Sequence, residues 1–131
     1  MSEFLRGYMK YLHTMIRVKD IEKSLEFYEK LLGLSLHHTM DLEDCKLYFL
    51  SDNFGETQIE LTSNFDTPKE GYTEGTKFGH LAFEIEEDYK TFTPKLKAMG
   101  YDYLYEPYFM ENMEIAFIKD PDGNQIELIK Y

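Results

Sequence analysis

Gln58-Ile59-Glu60-Leu61 returns later in the chain as Gln125-Ile126-Glu127-Leu128. From 58 to 125 the displacement is 67 residues, and the same displacement carries His13, after Leu12, onto His80, after Gly79. Two landmarks with one displacement mark an internal duplication. The halves run from about residue 10 to 64 and from 78 to 131. The joint at 65–77, FDTPKEGYTEGTK, has one Pro, two Gly and few large apolar side chains. All of 1–131 is expected to form a single domain of two repeats.

Working outward, each half predicts the same elements. Residues 11–18 alternate and are β-branched, which predicts a strand. Asp20 is placed to cap a helix reaching Leu32, with Ile21, Leu25, Tyr28 and Leu32 on one face and Gly33 to end it. Strands follow near 34–39, 45–50 and 57–62. In the second half a strand at 79–85 precedes a helix that ends about Met99, ahead of Gly100. Pro94 suits a first turn better than an interior, which predicts that this helix starts at Thr93. Strands are expected near 101–105, 113–118 and 124–130, with Asp120-Pro121-Asp122-Gly123 turning between the last two. The expected fold is α+β: two tandem βαβββ repeats with mostly antiparallel sheets. One helix covers one face of each sheet, and the other face lines an open cleft.

Strand parity decides which side chains reach that open face. Ile59 and Leu61 oppose Glu60; Ile126 and Leu128 oppose Glu127. Leu81, Phe83 and Ile85 oppose His80, and Leu12, Ile16 and Val18 oppose His13. Thus His13, Glu60, His80 and Glu127 all leave the aliphatic face. Two imidazoles and two carboxylates suit a borderline divalent metal ion, and four protein ligands in an octahedron leave two positions for water or substrate.

Composition bounds the rest. Of 131 residues, 43% are hydrophobic and 16% aromatic, enough for one core. With 14 basic and 25 acidic residues the net charge is −11, which disfavours nucleic acid and anionic membranes as partners. There is no apolar run long enough to span a bilayer and no signal-peptide pattern in MSEFLRGYMKY; one cysteine, Cys45, allows no internal disulfide. A cytoplasmic location is the expectation.

The segments Leu-His-Thr-Met-Ile-Arg (12–17), Ser24-Leu-Glu-Phe-Tyr before Leu-Gly-Leu (32–34), Ile-Glu-Leu-Thr-Ser-Asn (59–64), Phe-Gly-His (78–80) and Ala-Phe-Ile-Lys-Asp-Pro-Asp-Gly-Asn-Gln-Ile-Glu-Leu (116–128) resemble the glyoxalase I (lactoylglutathione lyase) family of the vicinal oxygen chelate superfamily. The resemblance runs from about Tyr11 to Ile129. It implies that His13, Glu60, His80 and Glu127 hold the metal, with Ni²⁺ or Co²⁺ ahead of Zn²⁺. It also implies a homodimer with sites assembled across subunits. The implied reaction converts the hemithioacetal of methylglyoxal and a thiol into the S-lactoyl thioester, detoxifying methylglyoxal. Glu127 is the implied base and Glu60 its partner. Arg17 and Asn64 match residues that bind the γ-glutamyl end of glutathione, and each sits four residues from a ligand, on its face.

Two expected basic positions are absent. Thr76 stands where an Arg or Lys often precedes the second His, with Lys77 beside it. Phe109, followed by Met110-Glu111-Asn112-Met113, stands where a Lys opens a Gly-rich mobile loop. The acidic chain would then favour a cationic thiol, such as a polyamine-conjugated one, over glutathione. Tyr101, Tyr103, Tyr105, Tyr108 and Phe109 are candidates for an apolar pocket, a core or an interface. Alternatives are another metalloenzyme of the superfamily, an epimerase or lyase, and a non-catalytic metal- or small-molecule-binding protein.

Overall fold

The computed structural model describes residues 11–55, 57–73, 75 and 78–131. Thr76, Lys77 and nearly all of the N-terminal segment read above lie outside the described residues.

The first half builds strand β1 (His13–Arg17), helix α1 (Ile21–Leu25), a π-helical continuation (Glu26–Leu31), and strands β2 (Ser35–Asp41), β3 (Cys45–Ser51) and β4 (Gln58–Asn64). The Asp20 side chain caps α1 by accepting from the Glu22 and Lys23 amides, which satisfies two of the free donors of the first turn. Gly33, at φ +82°, ends the helix, and the Leu34 amide donates back to the Tyr28 carbonyl.

The second half builds β5 (His80–Glu84), α2 (Tyr89–Ala98), β6 (Tyr108–Met110), β7 (Met113–Lys119) and β8 (Gln125–Lys130). Each half forms one four-stranded sheet, ordered β1-β4-β3-β2 and β5-β8-β7-β6. The first strand of each half lies parallel to the last, and the remaining pairs are antiparallel. The expected α+β class and paired βαβββ order are therefore present.

The apolar sheet faces and both helices share one core. Phe27, Tyr28 and Leu31 of the first half join Leu96, Ala116, Ile118 and Ile126 of the second. Phe27 meets Tyr101 edge-on at 5.2 Å between ring centroids. The Tyr28 hydroxyl donates to Asp120 Oδ2 at 2.7 Å. The β7–β8 turn also binds back to the first half, where Asp122 accepts from the Lys19 amide and the Ser24 hydroxyl.

Two expectations fail for physical reasons. Helix α2 begins at Tyr89, not Thr93, so Pro94 lies inside it. The first turn earns its place through burial: Tyr89 and Phe92 are buried, and the Tyr89 hydroxyl donates to the Glu114 and Leu128 carbonyls. These contacts outweigh a penalty of about 3 kcal/mol for an interior proline. Because Pro94 is exposed, Pro94→Ala should raise stability by about 1–2 kcal/mol, measurable by urea titration; unchanged stability would mean the proline is unstrained.

Residues 101–105 are not a strand, and the last half's second strand is instead the short β6. The tyrosine alternation that suggested a strand anchors the segment to helices. Tyr101 packs on Phe27, and the Tyr103 hydroxyl bonds Thr93 Oγ1 at 2.6 Å. A single ladder-like bond remains, from the Leu104 amide to the Phe117 carbonyl. Pro107, with no amide hydrogen, separates this segment from β6.

Candidate metal centre

The open faces are set by ladder register. On β1, exposure alternates so that His13, Met15 and Arg17 are out while Thr14 and Ile16 turn toward the core; β5 repeats the pattern with His80, Ala82 and Glu84. Parallel pairing puts Met15 beside Glu60 and Ala82 beside Glu127. His13 and Glu60 therefore share one face, as do His80 and Glu127.

The side chains meet. His13 Nε2 lies 2.8 Å from Glu60 Oε1, and His80 Nε2 lies 3.0 Å from Glu127 Oε1. Glu60 is buried and receives a further hydrogen bond from the Thr62 hydroxyl. Both imidazoles remain about two-fifths exposed, at 37% and 42%, so each pair has an accessible side.

The four candidates do not form one cluster within the chain. Among the described residues no three His, Cys, Asp or Glu side chains come together as a metal-holding group. Strand parity correctly places each His with a Glu, but the pairs stand on different sheets. The donor chemistry still fits a divalent ion. Two cis ligands with bonds of about 2.1 Å are about 3 Å apart, and each His–Glu pair has that spacing. Two such pairs supply the N₂O₂ set; one pair supplies half of it.

Two aromatic side chains complete the duplication. Phe49 is the cross-strand neighbour of Glu60, and Phe117 that of Glu127. His13 meets Phe49 edge-to-face at 5.7 Å and 76°, and His80 meets Phe117 at 5.5 Å and 85°. The sequence reading missed them because their displacement is 68, not 67. The β3–β4 connection is one residue longer than the β7–β8 connection. Register counted back from each Glu would have found them.

Each Phe has a different backing. His38 stacks on Phe49, 4.3 Å between centroids and 9° from parallel. A register shift between Leu36 and His38 brings His37 Nδ1 within 2.7 Å of His38 Nδ1, as a β-bulge does by aiming consecutive side chains together. Behind Phe117 stands Tyr105, which also contacts Tyr108.

The tyrosine-rich segment thus divides. Tyr101 and Tyr103 serve the core, while Tyr105 and Tyr108 border the His80–Glu127 pair. Desolvation first, then Tyr105 and Glu127, hold the Tyr108 phenol above its ordinary pKa. Phe109 is 78% exposed and pairs with Glu114, whose side chain leaves β7 on the face away from Phe117. Phe109 therefore does not border the pair. The segment expected as a loop is a tight hairpin, with Glu111 at φ +55° in its turn.

Arg17 and Asn64 occupy the His13–Glu60 face. Arg17 is exposed and beside Thr62 in register. Asn64 is half-buried at the end of β4, within 3.4 Å of the Tyr72 hydroxyl. Cys45 is its cross-strand neighbour; burial, then Asp44, pushes that thiol's pKa up.

Known proteins are similar to this chain in sequence and fold. A lactoylglutathione lyase of Neisseria meningitidis serogroup A is 37% identical over 128 residues, covering 93% of this chain and 91% of that protein. A probable lactoylglutathione lyase of Synechocystis is 40% identical over 125 residues, covering 91% and 93%. Among solved structures, the glyoxalase I of Leishmania major, described as trypanothione-dependent, superposes with a TM-score of 0.78 at 32% identity, covering 93% of this chain and 86% of that one. Residues 10–128 match the family model for the glyoxalase, bleomycin resistance protein and dioxygenase proteins. With that match across nearly the whole chain, this protein belongs to the Glyoxalase/Bleomycin resistance protein/Dioxygenase superfamily.

Proposed function

We propose that the chain is a metal-dependent, glyoxalase I-type lyase, converting the hemithioacetal of methylglyoxal and a thiol to the S-lactoyl thioester. The observation that carries this reading is the repeated His–Glu pair, Nε2 to Oε1 at 2.8 and 3.0 Å, one on each open sheet face. The lactoylglutathione lyases of Neisseria meningitidis and Haemophilus influenzae, 37% and 38% identical over most of their length, support it.

In this reading His13, Glu60, His80 and Glu127 hold a divalent ion, Ni²⁺ or Co²⁺ ahead of Zn²⁺. A single chain offers the ligands two and two, so the subunit is half of a homodimer. The His13–Glu60 pair of one subunit faces the partner subunit's His80 and Glu127. The whole chain acts as one cytoplasmic domain of two repeats.

The bound ion would stabilise negative charge on the substrate oxygens as the enediolate forms. Glu127 takes the proton from C1 and returns it to C2, so the hydrogen lost from one carbon is regained by its neighbour and no redox partner is needed. Glu60, hydrogen-bonded by Thr62, is the partner carboxylate. Arg17 and Asn64 bind the γ-glutamyl end of the thiol, and Phe49 and Phe117 keep the carboxylates beside apolar surface.

The direct test is turnover of the methylglyoxal–glutathione hemithioacetal by metal-stripped protein reloaded with Ni²⁺ or Zn²⁺. Loaded protein should turn over and stripped protein should not. Metal binding without turnover of any thiol adduct would leave the non-catalytic alternative. A thiol other than glutathione is favoured by one specific likeness, the trypanothione-dependent enzyme of Leishmania major, together with the net charge of −11. A cationic, polyamine-conjugated thiol should then give the higher kcat/KM.

A further inference from the structure

The chain has four histidines. Two of them, His13 and His80, turn Nε2 to a glutamate. The other two turn to each other. His37 Nδ1 lies 2.7 Å from His38 Nδ1, with the ring centroids 4.9 Å apart and the planes at 77°. Both residues are exposed on β2, a free edge of its sheet. Among the described residues no carboxylate forms an ion pair with either of them.

The backbone and a neighbouring ring fix this contact. Leu36 faces Leu50 and His38 faces Phe49, so His37 is the extra residue of the bulge. A bulge of this kind re-aims its side chains. His38 lies flat on Phe49, 4.3 Å between centroids and 9° from parallel. Phe49 in turn meets His13 edge-on. The histidine pair therefore stands on the first-half open face, one aromatic ring beyond the His13–Glu60 pair. Blunting an edge strand needs only the bulge. It does not require two ring nitrogens at hydrogen-bond distance.

Two neutral imidazoles can share one Nδ1 proton, one ring donating and the other accepting. The same two atoms can instead bind one metal ion. With metal–nitrogen bonds of about 2.0–2.1 Å, cis ligands stand about 3 Å apart, close to the 2.7 Å observed. The stack and the bulge already hold the rings, so little ordering remains to oppose binding. Once one nitrogen is bound, the second joins at high effective concentration. The proton displaced from the donating Nδ1 passes through solvent to Nε2 of the same ring, so both imidazoles stay neutral ligands. Imidazole nitrogens favour late first-row ions, with Cu²⁺ the tightest of the divalent series. The net charge of −11 adds a general attraction for cations.

We propose that His37 and His38 form a second metal site, a two-nitrogen chelate for a late first-row divalent ion. It is separate from the His13, Glu60, His80 and Glu127 set and does not rest on the reaction proposed above.

The test is Cu²⁺ binding, followed by calorimetry and by electron paramagnetic resonance of the bound ion. His13→Ala/His80→Ala removes the nitrogen ligands of the candidate centre and leaves the new pair. That protein should bind one Cu²⁺ per chain, with hyperfine coupling from two nitrogens. Adding His37→Phe or His38→Phe should weaken Kd at least ~10-fold, because one nitrogen alone has no chelate partner. His38→Phe keeps a ring to stack on Phe49, so a loss with its thermal melt unchanged reports the nitrogen rather than the packing. In otherwise wild-type protein the same phenylalanine substitutions should lower the Cu²⁺ stoichiometry by one per chain, which tests the site without disturbing the candidate centre. The proposal is overturned if His13→Ala/His80→Ala protein, folded, binds no Cu²⁺, or if either phenylalanine substitution leaves Cu²⁺ affinity and stoichiometry unchanged. Cu²⁺ held by His37 and His38 in a protein that turns over no thiol adduct would sink the reaction and spare this site. Turnover with no Cu²⁺ lost on either substitution would do the reverse.

Discussion

Glu127→Gln is expected to lower kcat at least ~10³-fold with a KM within a few-fold of wild type. The amide keeps an oxygen that can accept from His80 Nε2 at the observed 3.0 Å separation, so the local fold survives. What disappears is a group able to hold a proton between C1 and C2. A positioned general base contributes about 10²–10⁴-fold, and a 10³-fold loss is about 4 kcal/mol of transition-state stabilisation. Because the same carboxylate is a proposed ligand, metal content must be measured with the rate. Loss of metal and rate together would report ligation; loss of rate with metal retained would isolate the base. Glu60→Gln should cost less, about 10–100-fold, because its proposed part is to help hold the metal rather than to move the proton. A Glu127→Gln enzyme keeping more than a tenth of the wild-type kcat, metal-loaded, would remove Glu127 from the mechanism.

The sequence exposes His13, Glu60, His80 and Glu127 because the chemistry demands particular side chains on a face that alternation defines. Duplication makes them visible twice. Where a contact depends on geometry between elements, the sequence is silent. Phe49 and Phe117 are as well duplicated as the proposed ligands, yet one extra residue between β3 and β4 shifts their spacing and hides them. Pro94 misleads because local preference is outweighed by the burial of Tyr89 and Phe92. Tyr101 and Tyr103 mimic a strand by alternation, although their partners are Phe27 and Thr93 on helical elements. The separation of the two His–Glu pairs is the largest gap. Parity says which way a side chain leaves its own strand, and nothing about how two sheets of one chain are disposed.

The second large effect falls on stability, at the turn expected from Asp120-Pro121-Asp122-Gly123. Asp120 is buried, 4% exposed, and no cation pairs with it among the described residues. Four donors hold its carboxylate instead. Oδ1 accepts from the Asp122 and Asn124 amides at 3.0 and 2.8 Å, and Oδ2 accepts from the Asn124 side chain at 2.9 Å and the Tyr28 hydroxyl at 2.7 Å. Burial first, and then the Asp120 charge, raises the Tyr28 pKa well above its ordinary value, so the phenol remains a donor. Asp120→Ala strands several donors in the interior together, and about 3–5 kcal/mol of stability should be lost. For a chain of this length that lowers Tm by about 10 °C or more. Tyr28→Phe removes one charge-assisted bond and should cost about 1.5–3 kcal/mol. The two losses should not add, because Tyr28 has no carboxylate to serve once Asp120 is gone. The double variant should therefore melt close to Asp120→Ala alone, and a fully additive loss would show that the bond contributes nothing. Since Tyr28 belongs to the first half and Asp120 to the hairpin carrying Phe117 and Glu127, this bond also ties the two halves together. Loosening it should weaken retention of the proposed metal before the chain unfolds.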